Sequence, residues 1–112
     1  MQITLSAQHT DLPHGLDEAV ADTVGRLDRL DPLLERADVH LTVERNPRIV
    51  NRIVCEVTLH GGGEPLVGRE AAPDVPAALT KVTHTLEHRL HKRKTLRLNH
   101  RHGGAAHRTA GT

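Results

Sequence analysis

The 112-residue chain contains no Phe, Tyr or Trp. Proteins that bind single-stranded nucleic acid commonly stack its bases on aromatic rings, so the composition argues against that kind of recognition. Phosphate contact and shape recognition by Lys and Arg remain available. The absence of aromatic rings also means that the hydrophobic core has to be built from Leu, Val, Ile and Ala.

The chain also lacks long apolar runs, and it has a single cysteine, Cys55. No stretch approaches the roughly 18 apolar residues that a membrane span needs. The N-terminus lacks the basic and apolar regions of a signal peptide, and one thiol cannot form an internal disulfide. Together these absences predict a cytoplasmic protein with no membrane partner.

Apolar residues recur with two different periods along the sequence. Alternation predicts four strands, which cover residues 2–7, 39–44, 53–60 and, more weakly, 66–70. Helical spacing predicts a first helix over residues 16–30, which Asp31-Pro32 ends. A second helix begins after Asp74, whose side chain suits an N-cap position.

This order of elements predicts an α+β fold, β-α-β-β-β-α. Such a chain packs both helices on one face of a four-stranded, mostly antiparallel sheet. The length allows one domain. We expect that domain to cover residues 1–102, followed by a disordered tail over residues 103–112 that is rich in small and polar residues.

The second predicted helix changes its chemistry halfway along. Its apolar stripe consists of Val75, Leu79, Val82, Leu86 and Leu90. The next two positions on the same stripe are Arg93 and Arg97. Because unpaired charge is costly to bury, we expect the helix to leave its core near Leu90 and to continue into solvent.

Positive charge accumulates around this extension, and no acidic residue follows Glu87. Residues 71–112 carry a net charge of +6, whereas residues 1–44 carry −6, so the overall charge of +1 conceals a local cationic surface. A basic rod of this kind favours a polyanionic partner such as nucleic acid. The predicted RNA-binding residues of the helix are Arg89, Lys92, Arg93, Lys94, Arg97 and Arg101.

Other residue patterns indicate no catalytic or metal chemistry. Cys55 falls on the apolar face of a predicted strand, which is typical of a core thiol. Three histidines at helical spacing lack the Cys or Glu partners of a zinc motif; they are His84, His88 and His91. The glycine triplet 61–63 is not followed by Gly-Lys-Ser/Thr, so it predicts a hairpin turn. We therefore predict a protein that is not an enzyme and that needs no metal, cofactor or small-molecule substrate.

Several short segments, taken in order, resemble the ribosome hibernation promoting factor family, also called the ribosome-associated inhibitor or S30AE family. The resemblance covers about residues 1–100. Its segments are Met1–Ser6, Val57–His60, Gly62–Glu64 and Asp74–Leu79, together with Leu86, Leu90, Lys92 and Lys94.

The resemblance implies a fold similar to a double-stranded RNA-binding domain. It also implies binding between the head and body of the small ribosomal subunit, where the domain would block mRNA and tRNA. The RNA-facing basic residues of the family map onto Lys92 and Lys94, with Arg89 and Arg93 nearby, and onto Arg26 in the first helix.

Two positions depart from the family pattern, since Pro76 replaces an aromatic residue and Thr23 replaces a basic one. The chain also stops soon after the domain, as the short family members do.

The leading hypothesis is therefore a translation inhibitor that is monomeric off the ribosome and binds the rRNA of the small subunit through its second helix. One alternative is a double-stranded RNA-binding protein that acts away from ribosomes. Another is a protein-interaction module whose basic helix binds an acidic surface. The leading hypothesis fails if the terminal segment of the second helix folds back and its arginines are held in internal ion pairs.

Overall fold

The computed structural model describes residues 1–8 and 14–106, with side chains described as far as Leu98. The elements follow the order β-α-β-β-β-α, which confirms the predicted α+β fold. The strands are β1 (Gln2–Gln8), β2 (Arg36–Val43), β3 (Ile53–His60) and β4 (Leu66–Ala72). The helices are α1 (Leu16–Val24) and α2 (Val75–Ala106), and a 3₁₀ turn covers Gly25–Arg29.

The four strands form one sheet in the order β1-β2-β3-β4. β1 pairs with β2 in parallel, because the chain crosses over through α1, and the other two pairs are antiparallel. One row across the sheet joins Leu5, Val39, Val57 and Gly68. Since side chains alternate along a strand, this row faces the helices. The next row exposes the polar side chains of Ser6, His40, Glu56 and Arg69 on the opposite face.

The first helix is shorter than its apolar spacing predicts. The α-helix ends at Val24 and continues as the tighter 3₁₀ turn from Gly25. Glycine weakens an α-helix by about 1 kcal/mol relative to alanine, which favours the change at this position. Leu27 remains fully buried in the turn, and Asp31, which follows it, is only 1% exposed. The turn thus places the carboxylate of Asp31 in the interior of the protein.

Helix α2 lies close to the sheet because β4 has a glycine beneath it. An added Cβ at Gly68 would lie 2.9 Å from Cγ of Leu86 and 3.3 Å from Cγ2 of Val82. Both of these side chains, like Leu90, belong to the predicted apolar stripe and are buried. The stripe therefore packs as expected from Leu79 to Leu90.

The N-terminal end of α2 agrees with the sequence, whereas its length does not. The backbone N–H of Ala77 donates to Oδ1 of Asp74 at 2.8 Å, which confirms the predicted N-cap. The helix runs through Ala106, so residues 103–106 are helical rather than part of the expected tail. Residues 107–112 of that tail lie outside the described residues. None of the helices described is long and apolar enough to cross a bilayer.

Candidate nucleic-acid interface

The buried apolar stripe of α2 ends at Leu90, as predicted, but the helix does not simply continue into solvent, because Arg93 and Arg97 bind a buried carboxylate. Both arginines donate from Nη2 to Oδ2 of Asp31, at 3.2 Å and 3.1 Å. Asp31 lies 62 and 66 residues away along the chain. The two arginines thus occupy the next two positions of the packing stripe, where they contact a carboxylate instead of apolar side chains.

The same two guanidinium groups also bind backbone carbonyls. Arg93 donates to the carbonyl oxygens of Gly61 at 2.9 Å and Glu64 at 3.0 Å. Arg97 donates to the carbonyl of Gly62 at 2.9 Å. We call this cluster of Asp31, Arg93, Arg97 and the Gly61 and Gly62 carbonyls the Asp31 clamp. It joins α2 to both the turn before β2 and the turn between β3 and β4.

Opposing effects set the ionisation of Asp31. Burial by itself raises its pKa, but hydrogen bonds from Arg97, from the backbone N–H of Leu33 and from Arg93 outweigh burial. The pKa of Asp31 therefore lies below its ordinary value of 3.8. The carboxylate is ionised at neutral pH and neutralises one of the two guanidinium charges. The clamp as a whole keeps one excess positive charge.

The glycine triplet is the β3–β4 turn, as the sequence predicts, and the structure shows why it needs glycine. Gly61, Gly62 and Gly63 have φ values of 117°, 76° and 146°, which side chains rarely tolerate. An added Cβ at Gly62 would also lie 3.0 Å from Oδ2 of Asp31. The turn therefore presents its carbonyls to the arginines at close range.

A row of side chains on α2 binds the outer edge of β4. Lys81 donates from Nζ to the carbonyl of Ala71 at 2.8 Å, and Arg89 donates from Nη1 to the carbonyl of Val67 at 2.5 Å. Between them, the hydroxyl of Thr85 donates to Glu70. These positions are four residues apart, so they share one helix face. Arg89 is exposed, but one of its donors is already occupied by the sheet.

Lys92 and Lys94 are exposed and lie on opposite flanks of α2. At about 100° per residue, their directions differ by about 160°. Lys92 lies on the same side of α2 as Arg89. Lys94 lies on the side that faces the 3₁₀ turn after α1, and its Nζ donates to the carbonyl of Leu30 at 3.5 Å. The cationic surface thus extends around the helix. The side chain of Arg101 lies outside the described residues.

Arg26, the predicted RNA-binding residue of the first helix, lies on the 3₁₀ turn and is exposed. It lines a groove of about 160 Å³ between the first helical segment and α2, opposite His84 and Glu87. The fold therefore brings Arg26 to the flank of α2 that also carries Lys94. This flank is less cationic than the opposite one because Glu87 lies in it.

Three further residues predicted to have no catalytic or metal role have defined surroundings. Cys55 is fully buried, and burial raises the pKa of its thiol to about 12, which confirms a core position. The rings of His84 and His88 meet edge to face at 4.8 Å. Within the described part of the chain, no three His, Cys, Asp or Glu side chains converge in a way that could hold a metal ion.

Comparison with known proteins identifies the family. The family described as Sigma 54 modulation protein / S30EA ribosomal protein matches residues 3–97. The chain belongs to this family. The resemblance inferred from the sequence segments is thus confirmed, and with it membership of a ribosome-associated family that is not known for enzymes.

Two solved structures share the fold at low sequence identity. A ribosomal subunit interface protein from Coxiella burnetii has a TM-score of 0.74 and 16% identity, over 85% of this chain and 99% of that chain. The N-terminal domain of Thermus thermophilus Protein Y has a TM-score of 0.67 and 22% identity, over 80% of this chain and 96% of that chain. No curated protein matches the chain in sequence.

Proposed function

We propose that the protein binds rRNA of the small ribosomal subunit near the decoding centre and blocks mRNA and tRNA by occupying their space. The matched family is described as an S30EA ribosomal protein, and the structural neighbour from Coxiella burnetii is named a ribosomal subunit interface protein. The observation that carries the proposal is the exposed cationic surface of α2. Lys92 and Lys94 extend it around the helix, and the Asp31 clamp holds the helix on the body of the protein.

Rigid attachment makes the helix suitable for steric blocking. A helix that moved freely would lose conformational entropy on binding, and that loss reduces affinity. The clamp ties α2 to two turns through hydrogen bonds from Arg93 and Arg97. The cations are therefore presented at fixed positions before the RNA arrives.

The predicted RNA-binding residues divide into two roles under this proposal. Lys92, Lys94, Arg89, Arg101 and Arg26 are assigned as phosphate contacts. Arg93 and Arg97 were expected to contact RNA, but both form internal ion pairs with Asp31. They are therefore assigned to positioning the helix, and they contribute the one excess charge of the clamp to the local field. Affinity then comes from phosphate neutralisation and counterion release, and specificity comes from the shape of the rRNA surface.

The test is cosedimentation of the purified chain with small ribosomal subunits at moderate salt, with and without competing tRNA. Saturable binding of one protein per subunit, reduced by tRNA, is expected. The variant Lys92→Glu/Lys94→Glu should lose this binding without unfolding, since neither residue belongs to the clamp. A matched control is Arg36→Glu/Arg69→Glu, which changes the charge equally on the open face of the sheet, where both residues are exposed.

The outcomes also separate the alternatives. Equal affinity for small subunits and for any RNA duplex would indicate a general double-stranded RNA-binding protein. Binding to neither would favour a protein-interaction module. Retained subunit binding by the Lys92→Glu/Lys94→Glu variant would mean that α2 is not the RNA-binding surface.

A further inference from the structure

A second cationic site lies at the other end of the sheet, in the loop between β2 and β3. Strand β3 begins after this loop and ends at His60, next to Gly61, whose carbonyl accepts a hydrogen bond from Arg93. Its eight residues separate the two ends by roughly 25 Å at about 3.3 Å per residue. No phosphate that contacts the loop is therefore within reach of Lys92 or Lys94.

The loop, residues 44–52, carries three exposed arginines, Arg45, Arg48 and Arg52, against one acid, Glu44. Its net charge is +2. Within the residues that the structure describes, none of the three arginines forms an ion pair with a carboxylate. Oε1 of Glu44 instead accepts the backbone N–H of Asn46 at 3.0 Å. The charge of the loop is thus available to a partner.

Hydrogen bonds within the loop fix its shape. The side chain of Asn46 accepts the backbone N–H of Arg48 at 3.0 Å, and the carbonyl of Asn46 accepts that of Ile49 at 3.1 Å. At the base, the N–H of Glu44 donates to the carbonyl of Arg52 at 2.7 Å. Because the loop is already ordered by these hydrogen bonds, it loses little conformational entropy on binding.

Two adjacent branched aliphatic side chains lie at the tip of this loop. Ile49 is 39% exposed and Val50 is 73% exposed. Neither belongs to the core or packs against it. Exposed apolar residues are ordinary when they occur singly. A pair of them between Arg48 and Arg52 places apolar surface beside positive charge at the tip of the loop.

We propose that the β2–β3 loop is a second RNA-binding site, at which Arg45 and Arg48 bind phosphates and Val50 packs against the sugar or base between them. This inference rests on the proposed function, since both sites would contact one ribosomal target. The planar donors of the guanidinium groups match phosphate oxygens in pairs, and the rRNA of the proposed target supplies such phosphates next to a loop with a net charge of +2. Two contacts on one target raise the affinity beyond that of either alone.

The first test compares two variants with equal charge changes, Arg45→Glu/Arg48→Glu and Lys92→Glu/Lys94→Glu. Affinity for small subunits is measured over a range of salt concentrations. The loop variant should weaken binding by about tenfold or more and should reduce the slope of log affinity against log salt by about 1.5. The losses of the two variants should multiply in the combined protein.

The results separate this inference from the proposed function. If the loop variant binds like the wild type while the helix variant loses binding, the loop is not a site and the proposed function stands. If neither variant loses binding, the proposed function fails as well. Circular dichroism of each variant establishes that it is folded.

The second test identifies the partner of the loop tip. A photoreactive group is attached to the variant Val50→Cys, which labels selectively because Cys55 is fully buried. Irradiation on the small subunit should cross-link the loop to rRNA. Arg36→Cys on the open sheet face is the control and should give little product. Cross-links from Val50→Cys to ribosomal protein alone, or to nothing, would overturn the assignment to RNA.

Discussion

Arg97 binds Asp31 across 66 residues of sequence, with Nη2 at 3.1 Å from Oδ2. Arg93 binds the same oxygen from one helical turn earlier. The whole side chain of Asp31 is 2% exposed, and the two arginine side chains are 16% and 29% exposed. The pairing attaches the basic half of α2 to the rest of the domain, so its removal has consequences for stability that can be measured.

Asp31→Ala is expected to lower the free energy of unfolding by about 2–4 kcal/mol. The change leaves two partly buried guanidinium groups without a carboxylate, which costs more than the pair itself contributes. The effect is smaller than for a fully buried pair because Arg97 retains contact with water. Urea unfolding measures it. Asp38→Ala, which removes a more exposed carboxylate, is the control and should cost less than half as much.

Acid should remove the stabilising effect of Asp31. The folded-state pKa of this group lies below its ordinary value of 3.8, so its contribution is present above that unfolded-state pKa. The contribution is lost as the pH falls through the lower folded-state value. The difference in melting temperature between wild type and Asp31→Asn should therefore be constant above about pH 5 and should shrink below pH 4. A difference that does not change between pH 6 and pH 2 would contradict this ionic role.

Gly62→Ala should destabilise the protein by about 1–3 kcal/mol. The residue has a positive φ, which costs a side chain about 1 kcal/mol or more, and the added Cβ would press on Asp31. Gly25→Ala is the matched control, because a Cβ there meets nothing within 4 Å and φ is −59°. It should be neutral or slightly stabilising. Thermal unfolding of both variants compares the two glycines directly.

Cys55 should react with thiol reagents only when the protein unfolds. Its side chain is fully buried and its pKa is raised to about 12, so almost no thiolate is present at pH 8. Labelling by Ellman's reagent should be at least about a thousandfold slower in buffer than in concentrated urea. Fast labelling of the native protein would show that β3 is accessible in a way that the structure does not indicate.

The sequence predicted those features that local patterns determine. The alternation of apolar residues locates β1 to β4, because a strand with one buried face requires it. Asp74 marks the start of α2 because its side chain accepts a backbone N–H of the first helical turn. The family was also recognisable, since its segments keep their order and spacing. The end of α1 was less clear, because Gly25 only weakens a helix and tertiary packing selects the 3₁₀ turn.

The Asp31 clamp could not be predicted from the helix alone. Spacing shows that Arg93 and Arg97 lie on the packing stripe, but it does not show what they face. Their partner, Asp31, follows the 3₁₀ turn after α1. In the sequence, Asp31-Pro32 has the ordinary pattern of a helix end. The one available signal was the stripe itself, since arginines at two successive core positions require a carboxylate from elsewhere in the fold.

The glycine at position 68 sets how far α2 stands from the sheet. A side chain there would meet Leu86 at 2.9 Å and would push the helix outward. The guanidinium groups of Arg93 and Arg97 would then stand too far from the β3–β4 turn to keep their present hydrogen bonds. A relative that carries a larger residue at the equivalent position is thus expected to hold its long helix at another height, and to have evolved a different anchor for it.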